Sequence, residues 1–171
     1  LNWVNRRLVR HGLELLRKDL FPGLAAFFSE TEKKYPIKSD KLSFEIGPIL
    51  NAKGRMDHPD LSLKLLLTKS IDEAREILAI LRDCNSERKL VTHKIFTEAQ
   101  TQVLKSFDRN NPLISIAYQS DWHEGVVGIV AARLVETFHV PALVLTDAHT
   151  DNGVSVIKGS ARTAGPLNLF S

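Results

Sequence analysis

Apolar positions recur along this chain in two rhythms, and the change from one to the other divides it. From Leu1 to Lys18 they fall at Trp3, Val4, Leu8, Leu13, Leu15 and Leu16, with basic residues between them. That spacing predicts an amphipathic helix whose charged face includes Arg6, Arg7 and Arg10. Phe21-Pro22-Gly23 interrupts it, and Pro22 suits the first turn of a second helix running from Gly23 to about Glu32. Lys33-Lys34-Tyr35-Pro36 should end that helix. Phe44 to Met56 keeps neither rhythm and carries two glycines, a proline and an asparagine, so a structured loop is expected there.

The helical period then returns. Asp57 to Thr68 reads as a helix capped by Asp57, with Leu61, Leu63, Leu65, Leu66 and Leu67 supplying apolar faces. Ser70-Ile71-Asp72-Glu73 has the form of a capping box and opens a helix expected to reach about Phe107. Ala74, Leu78, Leu81, Arg88, Val91, Ile95, Ala99 and Val103 fall near one stripe of it. At 1.5 Å per residue such a helix spans about 50 Å. Polar on most of its circumference, it reads as a connector between two bodies.

Asp108-Arg109-Asn110-Asn111-Pro112 is a stop, and beyond it the rhythm changes. Leu113 to Gln119 is a predicted strand, Gly125 to Phe138 a helix and Pro141 to Thr146 a second strand. Asp147 to Gly153 reads as a turn, Val154 to Arg162 as a third strand, and Thr163-Ala164-Gly165-Pro166 as loop. Strand, helix and strand with a short return predict a crossover and a parallel pair. The expected fold class is therefore α/β: two α/β bodies joined by a long helix, the second a partial, mostly parallel sheet with a crossover helix. The expected segments are 1–56, 57–110 and 111–171.

Composition narrows this picture only a little. The 171 residues are 43% hydrophobic and 25% charged, as in an ordinary globular protein. A net charge of +3 and a pI near 9.1 permit a phosphate-rich ligand without arguing for one. Cys84 is the single cysteine, which excludes an intramolecular disulfide and a cysteine-based zinc site. No signal-peptide pattern or membrane-length apolar run occurs, so a cytoplasmic setting is the expectation. The chain opens on Leu1 and stops at Ser171 shortly after a turn, so a piece of a longer protein is also expected.

Three stretches could carry chemistry. Trp122 to Leu134, W-H-E-G-V-V-G-I-V-A-A-R-L, follows a strand and opens a helix, an order that can present backbone N–H groups to an anion. More often such glycines only let a helix pack closely on a sheet. His123-Glu124 is not a zinc-protease signature, because Val127 stands where the second His belongs. His123 is then either a local cap or a residue poised over a phosphate at the end of a parallel strand.

Lys158-Gly159-Ser160-Ala161-Arg162 has the small residues, hydroxyl and guanidinium that a tight phosphate clamp uses. Its plainer reading is a strand ending in a solvated Arg. Asn51-Ala52-Lys53-Gly54-Arg55 similarly combines a glycine with two cations. Asp57, His58 and Asp60 are explained more simply by capping than as metal ligands. No pair of strand-end aspartates suggests a two-metal centre. The chain shows phosphate-binding candidates without a metal site.

Together, F-E-I-G-P-I-L-N-A-K-G-R-M (Phe44 to Met56), the Trp122 stretch and K-G-S-A-R occur in this order about a long helix. In that arrangement they resemble the single-strand-specific 5′→3′ DNA exonucleases of the DHH phosphoesterase family. Asn5 to Leu13, N-R-R-L-V-R-H-G-L, and the helical stretch Ser70 to Lys89 extend the resemblance over essentially the whole chain.

The resemblance implies a first domain that holds two divalent ions, manganese or magnesium, through aspartates and an Asp-His-His motif. It also implies a second, DHH-associated domain that binds nucleic acid. No Asp-His-His occurs here. The implied piece is the end of the catalytic domain (1–56), connecting helices (57–110) and the start of the DHH-associated domain (111–171), inactive alone and with no catalytic residue of its own. By position, Ser160 and Arg162 resemble binders of the 5′-terminal phosphate, with Gly159 between Lys158 and Ser160, and Arg55 with Asn51 a further contact. His123 would line the same cleft.

Two departures stand out: Ile49 where the family commonly has Arg, and Lys53 where it commonly has Ala. The implied partner is single-stranded DNA, in repair and recombination, with a single-strand-binding protein or a RecQ-type helicase as protein partners. The alternatives are a non-catalytic nucleic-acid-binding scaffold of the same fold and a phosphodiesterase acting on short oligonucleotides or cyclic dinucleotides.

Overall fold

The computed structural model describes residues 2–18, 20–29, 32, 37–106, 113–150, 152–163 and 165. It divides into two compact units, Leu1–Ser86 and Glu87–Ser171, whose boundary falls inside one long helix. The predicted stops at Lys33 to Pro36 and Asp108 to Pro112 lie outside the described residues.

In the first unit, α1 (Trp3–Lys18) starts where the Asn2 side chain accepts the Asn5 N–H at 2.9 Å. Its basic face is exposed, with Arg7 stacked on Trp3 at 5.2 Å and Arg10 paired with Glu14 at 3.2 Å. The second helix is shorter than expected: α2 covers only Pro22–Ala25. Beyond it Phe27 and Phe28 turn into the core, while the Ser29 N–H and hydroxyl both donate to Glu32, a local bond that competes with helix. A Cβ on Gly23 would meet the Leu65 carbonyl oxygen at 1.9 Å, so α2 reaches the helix Asp60–Leu67 through bare backbone.

Phe44 to Met56 is not a loop. A π-helical turn, Lys41–Ile46, runs directly into α3, Gly47–Met56. The wide turn closes where the Gly47 N–H donates to the Leu42 carbonyl, and a Cβ there would stand 3.1 Å from that oxygen. Pro48, which lacks an N–H, sits in the first turn of α3, where none is needed. Burial outweighs the weak helix propensity: Ile46 and Ala52 are buried, and Ile49 and Leu50 pack against the same core.

The next helix also differs from expectation. Asp57 ends α3 rather than capping α4, which runs Asp60–Leu67. The Ser62 hydroxyl donates to the Leu50 carbonyl at 2.6 Å, tying α4 to α3. Leu24, Phe27, Phe28, Ile46 and Leu65 form the core with Ala74, Ile77, Leu78 and Leu81 from the long helix.

That helix, α5, runs Ile71–Ser106, close to its predicted span. Ser70 caps it by accepting the Glu73 N–H at 3.3 Å. The capping box is only half formed, because the Glu73 carboxylate instead takes the Thr68 hydroxyl and pairs with Lys64 at 3.0 Å. The predicted stripe is largely buried, through Ala74, Leu78 and Leu81 in the first unit and Ile95, Ala99 and Val103 in the second. One amphipathic helix thus serves two cores.

In the second unit, β1 (Ser115–Tyr118), α6 (Glu124–Phe138), β2 (Ala142–His149) and β3 (Ser155–Arg162) follow in order. The sheet order is β1-β2-β3. β1 and β2 are parallel, as predicted for strands joined through a helix. β3 returns antiparallel beside β2 through a tight turn, so the sheet is mixed rather than mostly parallel. β2 itself extends through Asp147 to His149, and the turn is confined to the residues beyond. There Gly153 has φ 74° and its N–H reaches the Thr150 carbonyl at 2.8 Å.

Register places Ser115, Ala117, Ala142, Val144, Thr146 and Ala148 on one face, all buried. α6 covers that face with Val126, Val127, Val130, Ala131 and Leu134. From α5, the Gln102 side chain pairs with both backbone groups of Tyr118 at 3.0 Å, satisfying the β1 edge.

Candidate phosphate-binding site

β3 alternates its side chains, as every strand does. Lys158, Ser160 and Arg162 pair with Thr146, Val144 and Ala142 and therefore share the face that α6 covers, while Gly159 and Ala161 lie on the other. The helix is close enough to touch them. A Cβ on Gly128 would stand 3.1 Å from the Ser160 Oγ and 3.3 Å from the Arg162 Nη2. The second glycine of the Trp122 stretch thus makes room for the two polar side chains of β3.

Arg162 is held in that space by local bonds. Its Nη1 donates to the Ser160 Oγ at 2.9 Å and to the Ala161 carbonyl at 2.7 Å. Both acceptors are uncharged, so the guanidinium charge has no carboxylate among these contacts to neutralise it. Arg162 is exposed and Ser160 half-buried. A guanidinium fixed beside a hydroxyl is chemically suited to a phosphate or carboxylate.

Gly159 serves the backbone rather than a ligand. A Cβ there would meet Leu145 Cδ2 at 2.4 Å and the Val144 carbonyl oxygen at 2.8 Å. Its absence of a side chain lets β3 lie tightly on β2 and brings Ser160 and Arg162 to their places.

His123 is the N-cap of α6: its Nδ1 accepts the Gly125 N–H at 3.1 Å. The His123 side chain takes the Gly125 N–H, so that one of the first N–H groups of the turn is already bonded within the protein. The stretch is anchored from behind. Trp122 is buried, its Nε1 donates to Glu98 Oε2 of α5 at 2.8 Å, and its carbonyl accepts the hydroxyl of buried Thr146 at 2.7 Å.

Glu124, in the first turn of α6, pairs with Lys158 Nζ at 2.9 Å. No residue pattern singled out this pair in advance. The available signal was the strand period itself, which puts Lys158 on the face of Ser160 and Arg162, toward the start of α6.

Asn51 and Arg55 lie in the first unit, where with Leu50, Gly54 and Pro59 they line a shallow pocket. The structure thus brings together Ser160, Arg162 and the α6 stretch, and places Asn51 and Arg55 in a separate unit. Of the two departures, Ile49 is absorbed into the first unit's core. Lys53 donates to Asp57 at 2.7 Å, which holds the Asp57 carboxyl below its usual range. His58 lies 3.7 Å from Asp57 and is exposed. Among the described residues no group of three or more His, Cys, Asp or Glu stands together as a metal site, and Asp57, His58 and Asp60 do not make one. No described helix is long and apolar enough to cross a membrane.

No family model matches the chain. It is 34% identical over 171 residues to the single-stranded-DNA-specific exonuclease RecJ of Dickeya dadantii, covering 96% of this chain and 29% of that protein. Against the RecJ of Bacillus subtilis it is 33% identical over 167 residues, 97% of this chain and 21% of that one. The RecJ of Escherichia coli is 32% identical over 170 residues, with 96% and 29% covered. The chain therefore spans less than a third of the length of these curated relatives. Among solved structures, RecJ from Thermus thermophilus in complex with Mg2+ matches with a TM-score of 0.76 at 25% identity, over 97% of this chain and 24% of that one. The Mn2+ complex from the same organism matches at a TM-score of 0.74 and 26% identity, over 95% and 23%.

Proposed function

We propose, from the premise that this chain is a RecJ-family segment, that it is the part of a single-stranded-DNA-specific 5′→3′ exonuclease that receives the 5′ end of the strand. The observation that carries the proposal is the Arg162 guanidinium, fixed against the Ser160 hydroxyl in the space left by Gly128. A 5′-terminal phosphate would take a charge-assisted bond from Arg162 and a further bond from Ser160. His123, the N-cap of α6, is a further candidate to line the DNA path. Asn51 and Arg55, beside the shallow pocket of the first unit, are candidate nucleic-acid contacts of that unit by itself.

The chain's own residues bind and register the strand; they do not cut it. Phosphodiester hydrolysis in this reading uses two divalent ions, manganese or magnesium, that activate water and neutralise charge on the reacting phosphate. The described residues do not offer a donor set for them, and the metal-holding half belongs to the longer protein. Residues 1–56 then close the catalytic domain, 57–110 connect, and 111–171 begin the nucleic-acid-binding domain. The cellular setting is DNA repair and recombination in the cytoplasm.

The test uses the full-length protein with Mn2+ and single strands bearing a 5′-phosphate or a 5′-hydroxyl. The expected result is release of mononucleotides from the phosphorylated strand and not from duplex. Arg162→Ala should cost about 10- to 100-fold in affinity for the phosphorylated strand, from the loss of a charged bond worth about 1.5–3 kcal/mol. An active enzyme indifferent to both the 5′ group and Arg162 overturns the clamp.

A further inference from the structure

The geometry points to Lys158 as a second anchor on β3, one that holds the strand's backbone at an internal phosphate and that Glu124 occupies until DNA displaces it. This rests on the reading of Ser160 and Arg162 as the terminal-phosphate clamp.

Three observations support it. Lys158, Ser160 and Arg162 alternate along one strand and face the same side, toward α6. Lys158 lies four residues from Arg162, about 13 Å along the strand at about 3.3 Å per residue. Arg162 folds back on the Ser160 hydroxyl, about 7 Å along the strand from Lys158. The Lys158 ammonium, however, is drawn to Glu124 in the first turn of α6, one turn before Gly128. That leaves it to a phosphate farther along the same DNA chain. Finally, Lys158 is paired with Glu124 at 2.9 Å, and both side chains remain largely solvent-accessible, at 61% and 49%. An exposed ion pair of this kind contributes little and exchanges readily.

The arrangement sets a polarity. With its 5′ end at Arg162, the DNA runs antiparallel to β3, toward Lys158 and the start of α6. Glu124 is well placed as a displaceable partner, because a carboxylate in the first turn of a helix is favoured there without Lys158. An incoming phosphate takes over the ammonium, and Glu124 returns to solvent. Each strand must break the pair, so the pair lowers affinity for all strands alike.

Binding to the full-length protein, without divalent metal so that the strand is not cut, separates the roles. The probes are oligothymidylates with a 5′-phosphate or a 5′-hydroxyl. Lys158→Ala should weaken both by the same factor, about three- to tenfold, and lower the slope of log affinity against log salt by about 0.7, one single-strand phosphate contact. Arg162→Ala should weaken only the phosphorylated strand. Glu124→Gln should strengthen both about two- to fivefold, and that gain should vanish in the Lys158→Ala background.

If Lys158→Ala changes neither affinity nor slope while Arg162→Ala acts as stated, the second anchor is wrong and the terminal clamp stands. If Lys158→Ala erases the 5′-phosphate preference, Lys158 belongs to the terminal site and the proposal is overturned. A Glu124→Gln gain that survives without Lys158 is general repulsion and overturns the displaceable pair. If Arg162→Ala is also silent, the clamp itself has failed.

Discussion

Gly128 abuts Ser160 across the interface of α6 and β3: a Cβ on the glycine would stand 3.1 Å from the Ser160 Oγ. The same Cβ would lie 3.3 Å from an Arg162 guanidinium nitrogen, so one missing methyl group shapes the surroundings of both polar side chains. The neighbours it would press on are side-chain ends, which can shift, and not backbone.

Gly128→Ala should therefore leave the fold intact and disturb the clamp. Replacing an interior helical glycine by alanine favours the helix by up to about 1 kcal/mol, which offsets the crowding. The displaced Arg162 and Ser160 should lose roughly tenfold in 5′-phosphate preference, less than the roughly hundredfold that a full ångström of misplacement can cost. Thermal denaturation and strand-binding assays on the same preparation check this. A lowered melting temperature with unchanged preference would contradict it.

Gly159→Ala should do the reverse damage. There the Cβ would meet Leu145 Cδ2 at 2.4 Å and the Val144 carbonyl oxygen at 2.8 Å, so β3 itself has to lift from β2. Overpacking of this kind costs about 1–3 kcal/mol. Urea unfolding should show a lower midpoint for Gly159→Ala than for Gly128→Ala, and equal midpoints would refute the distinction.

The first unit should show an acid limb of its own. The hydrogen bond from Lys41, followed by those from the Ser29 N–H and hydroxyl, lowers the Glu32 carboxyl from 4.5 to about 2. A carboxyl with a depressed folded pKa stabilises the fold above its unfolded pKa, and that contribution is lost as pH falls. The window is then from about 4.5 down to about 2. Glu32→Gln should flatten stability against pH within that window and lower stability at neutral pH, where the ionised carboxyl contributes in full. An identical acid limb in the variant would exclude Glu32 as its source.

Much of this architecture is written in local pattern. The helical period from Ala74 to Val103 foretells α5 to within a residue or so of its length, because one apolar stripe on a helix is a local geometric fact. The strand, helix, strand order foretells the parallel β1–β2 pair, because adjacent parallel strands need a crossover. Alternation in Lys158, Ser160 and Arg162 already puts the three on one face.

The failures share a cause. Gly47, Pro48 and Gly54 make Phe44 to Met56 look like loop, yet Ile46 and Ala52 bury it as helix, because the burial available to a segment depends on what packs against it. Asp57 looks like a cap and instead closes on Lys53. The Trp122 stretch reads as a turn able to offer free N–H groups. In the fold His123 caps it, and Gly128 supplies the space that matters.

The sequence by itself determined the elements, their order and the residue types available for binding phosphate. Only tertiary structure decided which glycine faces which side chain and which carboxylate meets Lys158. Those contacts join residues some 30 positions apart in the chain, and no local period encodes a distance of about 3 Å across two packed elements.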